Sequence, residues 1–210
     1  VEILCHGSEH SRMGAPLKGE NASAYMARIR DELYASREVL RREGFDPKWF
    51  TYPYGEFNET VLAEARAAGY ALGFTQDAGA ASQAQDKFAI PRFAVVGAVS
   101  DLGLFHERMG YEPLDLYEVS PKAGPVKGGV IQAVRARVKD PQKYKEGEVS
   151  VFVSEKGRLK ASFDQATGLI TAEGTAVKNR VNRIRVTLKN KTTGKWAFAA
   201  WIVINPENSN

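Results

Sequence analysis

The segment Cys5-His6-Gly7-Ser8-Glu9-His10 puts two of the chain's three histidines four residues apart. Residues at i and i+4 share a face when the backbone turns as a helix or tight loop, so both imidazoles can be aimed at one ion. Neutral imidazole is a good ligand for zinc. The same spacing is common on ordinary surfaces, so the alternative for His6 and His10 is a pair of solvated or capping side chains. A second candidate is the run Phe50-Thr51-Tyr52-Pro53-Tyr54-Gly55-Glu56-Phe57-Asn58. Pro53 fixes the backbone and Gly55 admits a close approach at the end of an expected strand, where α/β barrel enzymes place functional groups. Trp49, Tyr52, Tyr54 and Phe57 are aromatics that either stack on a sugar face or pack on the core.

These residues need elements to hold them. The apolar run Val1 to Leu4 reads as a strand leading into the histidine segment. Residues 21–43 carry Tyr25, Met26, Ile29, Leu33 and Leu40 on one helical stripe, with Asn21 or Ser23 as cap and Gly44 as stop. A strand through Trp49-Phe50-Thr51 follows, then a short helix capped by Asn58 and ended by Gly69. The run 71–77 reads as a strand ending at Asp77, and 88–96 as another that carries Arg92. Residues 100–110 read as a helix capped by Ser100 that holds His106, an ordinary surface histidine. Alternating strands and helices predict an α/β layer or barrel with parallel strands.

The period changes after Pro113. Residues 114–128 contain prolines and glycines without apolar periodicity and read as a linker. Beyond them the period is two: Val134, Ala136, Val138; Val149, Val151, Val153; Ile184, Val186, Leu188; and Trp196, Phe198, Ala200, Ile202. That alternation, with turn residues between the runs, predicts an immunoglobulin-like β-sandwich. Trp196 and Trp201 fall on opposite faces of their strand. The expected organisation is therefore an α/β unit over 1–113, a linker over 114–128 and an all-β unit over 129–210.

Charge divides at the same place. Residues 1–113 hold 12 Lys and Arg against 16 acids and residues 114–210 hold 17 against 9, which supports two units. The basic residues of the second half alternate with apolar ones along the expected strands, which favours a solvated face over a nucleic-acid surface. The chain holds one cysteine, which excludes an intramolecular disulfide and a four-cysteine zinc site. No run is long and apolar enough to be a spanning helix, and the first residues do not read as a signal peptide.

Together, His6-Gly7-Ser8-Glu9-His10, the helix after it, the Tyr52-Pro53-Tyr54-Gly55 strand end and its capped helix resemble the polysaccharide deacetylases of carbohydrate esterase family 4, the NodB-homology family. Phe50-Thr51-Tyr52-Pro53-Tyr54-Gly55-Glu56-Phe57-Asn58 is similar to the branch that deacetylates poly-N-acetylglucosamine. The resemblance covers about residues 1–100. It implies the C-terminal part of a distorted NodB-type (β/α) barrel and a metal-dependent hydrolase removing N-acetyl groups from a polysaccharide of the cell envelope. It implies a divalent ion, zinc by preference, with His6 and His10 as two of three protein ligands. In that family water activated by the ion attacks the N-acetyl carbonyl, and the resemblance implies that the ion and the backbone N–H of Tyr54 would hold the oxyanion. Tyr52, Pro53 and Gly55 are the substrate-binding candidates.

The family's first motif, Thr-Phe-Asp-Asp, supplies the base and third ligand, and the resemblance places it ahead of residue 1. The look-alike at Ser162-Phe163-Asp164-Gln165 reads as a β-turn. Thr51 stands where many relatives carry an arginine that orients the base. Arg92 is the substitute candidate, and Asp77 matches the fourth motif loosely. The expected partners are an N-acetylated polysaccharide and another chain or segment completing the barrel, with no nucleic acid and no membrane span. Location, from the resemblance alone, is extracellular or periplasmic. The competing expectation is a non-catalytic carbohydrate-binding or scaffold protein on a remnant barrel.

Overall fold

The computed structural model describes residues 2–97 and 100–208, so Val1 of the expected first strand lies outside the described residues. Helix α1 (Ala22–Arg30) begins where the Asn21 side chain accepts the Ala24 N–H, 2.9 Å away. A π-turn over Asp31–Ala35 joins it to α2 (Ser36–Arg42). The wider turn slips the apolar stripe, so that Glu32 is buried beside Leu33 and Ser36 follows. Strands β1 (Trp49–Thr51) and β2 (Leu72–Phe74) pair in parallel, with Phe50 opposite Gly73. Single bridges extend this pair, Cys5 to Phe50 on one side and Ile90 to Phe74 on the other. Helix α3 (Glu59–Ala67), capped by Asn58, packs Val61 and Ala65 on the same core.

Two expectations change here. The run 88–96 contributes only the bridge at Ile90 among the described residues, because Pro91 has no N–H to continue a ladder. Helix α4 (Leu102–Met109) is capped by Asp101, which accepts from Leu104, while the Ser100 hydroxyl donates to the Gly97 carbonyl. His106 lies exposed on that helix.

The second half is two sheets over one apolar cluster. The first has the order β4 (Leu116–Ser120), β6 (Val130–Val138), β10 (Leu169–Ala176), β9 (Ala161–Asp164). The second runs β3 (Glu112–Pro113), β12 (Trp196–Ile204), β11 (Val181–Asn190), β7 (Tyr144–Val153), β8 (Gly157–Leu159), and β5 (Gly124–Pro125) also pairs with β12. Val134, Val138, Val151, Val153, Ile184, Val186 and Leu188 meet in the core, as their alternation requires. The stretch 114–128 is therefore not a plain linker. It forms β4 and β5, and Leu114 and Val126 are buried in the sandwich core; prolines and glycines between these short pieces hide the period. Asp164 closes the β9–β10 hairpin by accepting the Ala166 N–H and the Thr167 hydroxyl, which is the turn expected at the Phe163-Asp164 look-alike.

Strand β12 has two buried faces. Ala197, Trp201 and Val203 point into the sandwich core, while Ile202 and Ile204 join Met13, Phe57 and the other buried side chains of the α/β unit. The α/β unit therefore packs against the β unit through Ile202 and Ile204 of β12. Trp196 lies exposed and Trp201 buried, in keeping with their opposite faces.

Candidate active site

The chain at Cys5 lies along β1, donating its N–H to Trp49 O and accepting from Thr51 N. His6 therefore steps off at the strand end beside Thr51. Its Nδ1 is 2.7 Å from Thr51 O and 2.8 Å from Thr51 Oγ1. A carbonyl oxygen only accepts, so Nδ1 carries the proton and the lone pair of neutral His6 is on Nε2. A backbone carbonyl on the far ring nitrogen is the arrangement that orients metal-ligating histidines.

His6 Nε2 lies 3.1 Å from His10 Nε2. Two nitrogens on one tetrahedral zinc at bond lengths of about 2.0–2.1 Å stand about 3.3 Å apart, so the pair is close to the spacing one ion needs. The segment reaches this arrangement as a loop, with Gly7 at φ 87° and His10 at φ 56°. Glu32 holds that loop from beneath. It is 1% exposed, and its carboxylate accepts the N–H groups of Ser8 (2.9 Å), Glu9 (3.3 Å) and Ser11 (2.9 Å). A Cβ at position 7 would overlap Glu32 Oε2 and lie 3.3 Å from Pro53 Cγ. Gly7, having no side chain, thus makes room for the carboxylate.

Tyr54 sits across from the histidines. Its backbone is left-handed, φ 56°, and the residue is 41% exposed. The His10 ring meets it edge-on at 4.6 Å, and the Arg12 guanidinium lies 4.2 Å from its centroid. Arg12 also contacts Glu56 at 2.6 Å. The structure thus brings His6, His10 and Tyr54 together, with Arg12 and Glu32 as neighbours that sequence reasoning missed. Glu32 had a legible signal: it lies three residues after Ile29, a carboxylate on the apolar stripe.

The other expected site residues separate from this cluster. Tyr52 is fully buried, its hydroxyl donating to Phe88 O and its ring packed on Phe50 and Phe57, so it offers a substrate no surface. Burial pushes its ionisation far above the usual phenol range. Pro53 and Gly55 are buried too, and their part is to shape the turn; Gly55, at φ 68°, is backed by Gln76. Phe57 is a core side chain and Trp49 packs on Phe74. Arg92 gives its Nε–H to Thr75 O at 2.8 Å and its backbone N–H to Asp77 O, so it braces the end of β2 rather than an acid beside the histidines.

Asp77 is 2% exposed, with Oδ1 3.4 Å from Arg183 Nε of β11, and neither atom makes a well-oriented hydrogen bond. Burial pushes its carboxyl up to about 7, with Arg183 opposing. It lines a cavity of about 630 Å³ between the two units, together with Phe57, Pro91, Phe198 and Trp201. The histidines and Tyr54 do not line that cavity.

Two imidazole Nε2 atoms at this spacing fit part of a zinc ligand set. Among the described residues no third His, Cys, Asp or Glu joins them in a group able to hold a metal. No described helix is long and apolar enough to cross a membrane.

Residues 1–73 match the polysaccharide deacetylase family. The polysaccharide deacetylase-like protein YxkH of Bacillus subtilis (strain 168) is 26% identical over 102 residues, which are 48% of this chain and 33% of that protein. The chain therefore spans about a third of that relative's length. Among solved structures, the Streptococcus pyogenes deacetylase PplD in complex with acetate is 22% identical with a TM-score of 0.43, over 52% of this chain and 44% of that one. The BpsB deacetylase domain from Bordetella bronchiseptica is 28% identical with a TM-score of 0.33, over 35% and 28%.

Proposed function

Because residues 1–73 are similar to the NodB-type polysaccharide deacetylases, we propose that this chain carries part of a metal-dependent site that removes N-acetyl groups from a polysaccharide such as poly-N-acetylglucosamine. The observation that carries this reading is the pair of Nε2 atoms 3.1 Å apart, with the His6 tautomer set by Thr51 O. His6 and His10 would hold a divalent ion, zinc by preference, which when bound supplies Lewis-acid polarisation of the amide carbonyl. Glu32 keeps the His10 loop in place through three backbone N–H groups. Tyr54 presents an exposed ring beside His10 for a sugar face, and its backbone N–H is the oxyanion donor in this reading. A third ligand and a base have to come from beyond the described cluster.

We read the β unit as an immunoglobulin-like sandwich, a view supported by the orders β4-β6-β10-β9 and β12-β11-β7-β8. A polysaccharide substrate of the envelope places the protein outside the cytoplasm, extracellular or periplasmic. One observation favours a second reading, a non-catalytic carbohydrate-binding or scaffold protein: among the described residues no third His, Cys, Asp or Glu joins the histidines in a group able to hold a metal.

Zinc stoichiometry on the dialysed chain, beside His6→Ala, tests the site, and acetate release from an N-acetylglucosamine oligomer tests the reaction. About one zinc per chain, lost in the variant, together with acetate release supports the deacetylase. Oligomer binding without zinc or acetate release favours the second reading.

A further inference from the structure

The carboxylate behind the Tyr54 turn is shared by two arginines from distant parts of the chain. Glu56 is fully buried, and Arg180, 2% exposed, meets it as a two-pronged pair with both N–O distances at 3.0 Å. Arg180 lies just before β11, so it belongs to the β unit, 124 residues further along the chain. Arg12, 27% exposed, meets the same Oε1 from the other side and lays its guanidinium over the Tyr54 ring. A buried carboxylate with two cationic partners has little freedom, because displacing either leaves charge unpaired in a low-dielectric site. The fork geometry of Arg180 fixes the plane of Glu56, and that plane fixes where Arg12 lies. Tyr54 then has Arg12 on its face and His10 at its edge. Ile204 of β12 packs in the same core, so the β unit backs this turn by burial as well as by charge.

We propose that Arg180 is a positioning residue for the candidate active site, acting through Glu56 and Arg12 on Tyr54. The β unit is then a working part of the site rather than an appended module. Its meaning for catalysis rests on the deacetylase reading; the physical relay does not.

The test uses the full chain labelled with 3-fluorotyrosine and read by fluorine NMR without metal or substrate. The chain has eight tyrosines, so the Tyr54 resonance is identified by its loss in Tyr54→Phe. Arg180→Met, which removes the fork, is expected to shift or broaden the Tyr54 resonance while those of Tyr117 and Tyr144 in the β unit stay put. Arg180→Lys keeps charge but not the fork, and gives a smaller change of the same sense. An unmoved Tyr54 resonance in either folded variant overturns the proposal. Should both lose their cooperative melt, Arg12→Gln decides, since the Arg12 side chain is partly exposed. Loss of the ring contact there moves Tyr54, and an unchanged resonance overturns the relay. Acetate release and zinc binding fail or succeed separately from this spectrum, so the two readings are told apart.

Discussion

Glu32→Gln removes one acceptor from a carboxylate that holds three backbone N–H groups. Oε1 accepts from Ser11 and Oε2 from Ser8 and Glu9. A glutamine can keep its oxygen toward Ser8 and Glu9, which preserves two bonds, but its NH2 then faces the Ser11 N–H, donor against donor. Hydrogen bonds to charged groups contribute about 1.5–3 kcal/mol, and a buried donor left without a partner costs a similar amount. We expect a loss of about 2–3 kcal/mol, less than the 5–15 kcal/mol typical of a folded domain, so the protein stays folded. Urea unfolding should show a lower midpoint with an unchanged slope. If part of the cost is taken as loop opening, zinc affinity falls about tenfold for each 1.4 kcal/mol, because the ion must close the loop again. The stability readout needs no metal. An unchanged midpoint in Glu32→Gln would refute the buttress, and a lower midpoint with full zinc affinity would show that the loop does not govern the histidine pair.

Gly7→Ala should be worse than a surface change, since the methyl meets Glu32 Oε2 at a left-handed φ of 87°; a loss of at least about 1–2 kcal/mol is expected in the same urea assay. Ile204→Ala, at a fully buried site where β12 meets the α/β core, should cost about 2–5 kcal/mol. It should lower one shared calorimetric transition, and two separate melts with only the β unit affected would contradict the common core. Asp77 carries a pH signature. Its native carboxyl titrates near 7 and its unfolded one near 3.8, so between these values the native state binds the extra proton. Its stabilising contribution is complete below about pH 4 and is lost as pH rises to 7, by at most about 4 kcal/mol. Asp77→Asn should therefore flatten the melting temperature against pH between about 4 and 7, and curves that run parallel would rule this out.

Local chemistry was legible without the fold. Asn21 and Asn58 cap their helices because an Asx side chain before an apolar run satisfies a free N–H wherever it occurs. Valines at period two identify a core face because the pleat permits nothing else. The His6–His10 spacing and the Tyr52-Pro53-Tyr54-Gly55 turn suggested a shared location, and the two do meet. Tyr52, open in the sequence between a sugar contact and core packing, falls to the core, because exposure at a strand end depends on which side of the sheet the core fills.

What only the tertiary structure decided are relations between distant groups. Glu32 reaches the histidine loop because a π-turn rotates it inward, Arg180 reaches Glu56 across 124 residues, and β12 buries both faces. Capping, turn and periodicity rules act over a few residues, so the sequence alone determined the caps, the alternating core and the histidine pair. Burial and ion pairing depend on which surfaces meet in three dimensions, so the fold decided which carboxylates hold the site and that the β unit stands behind it.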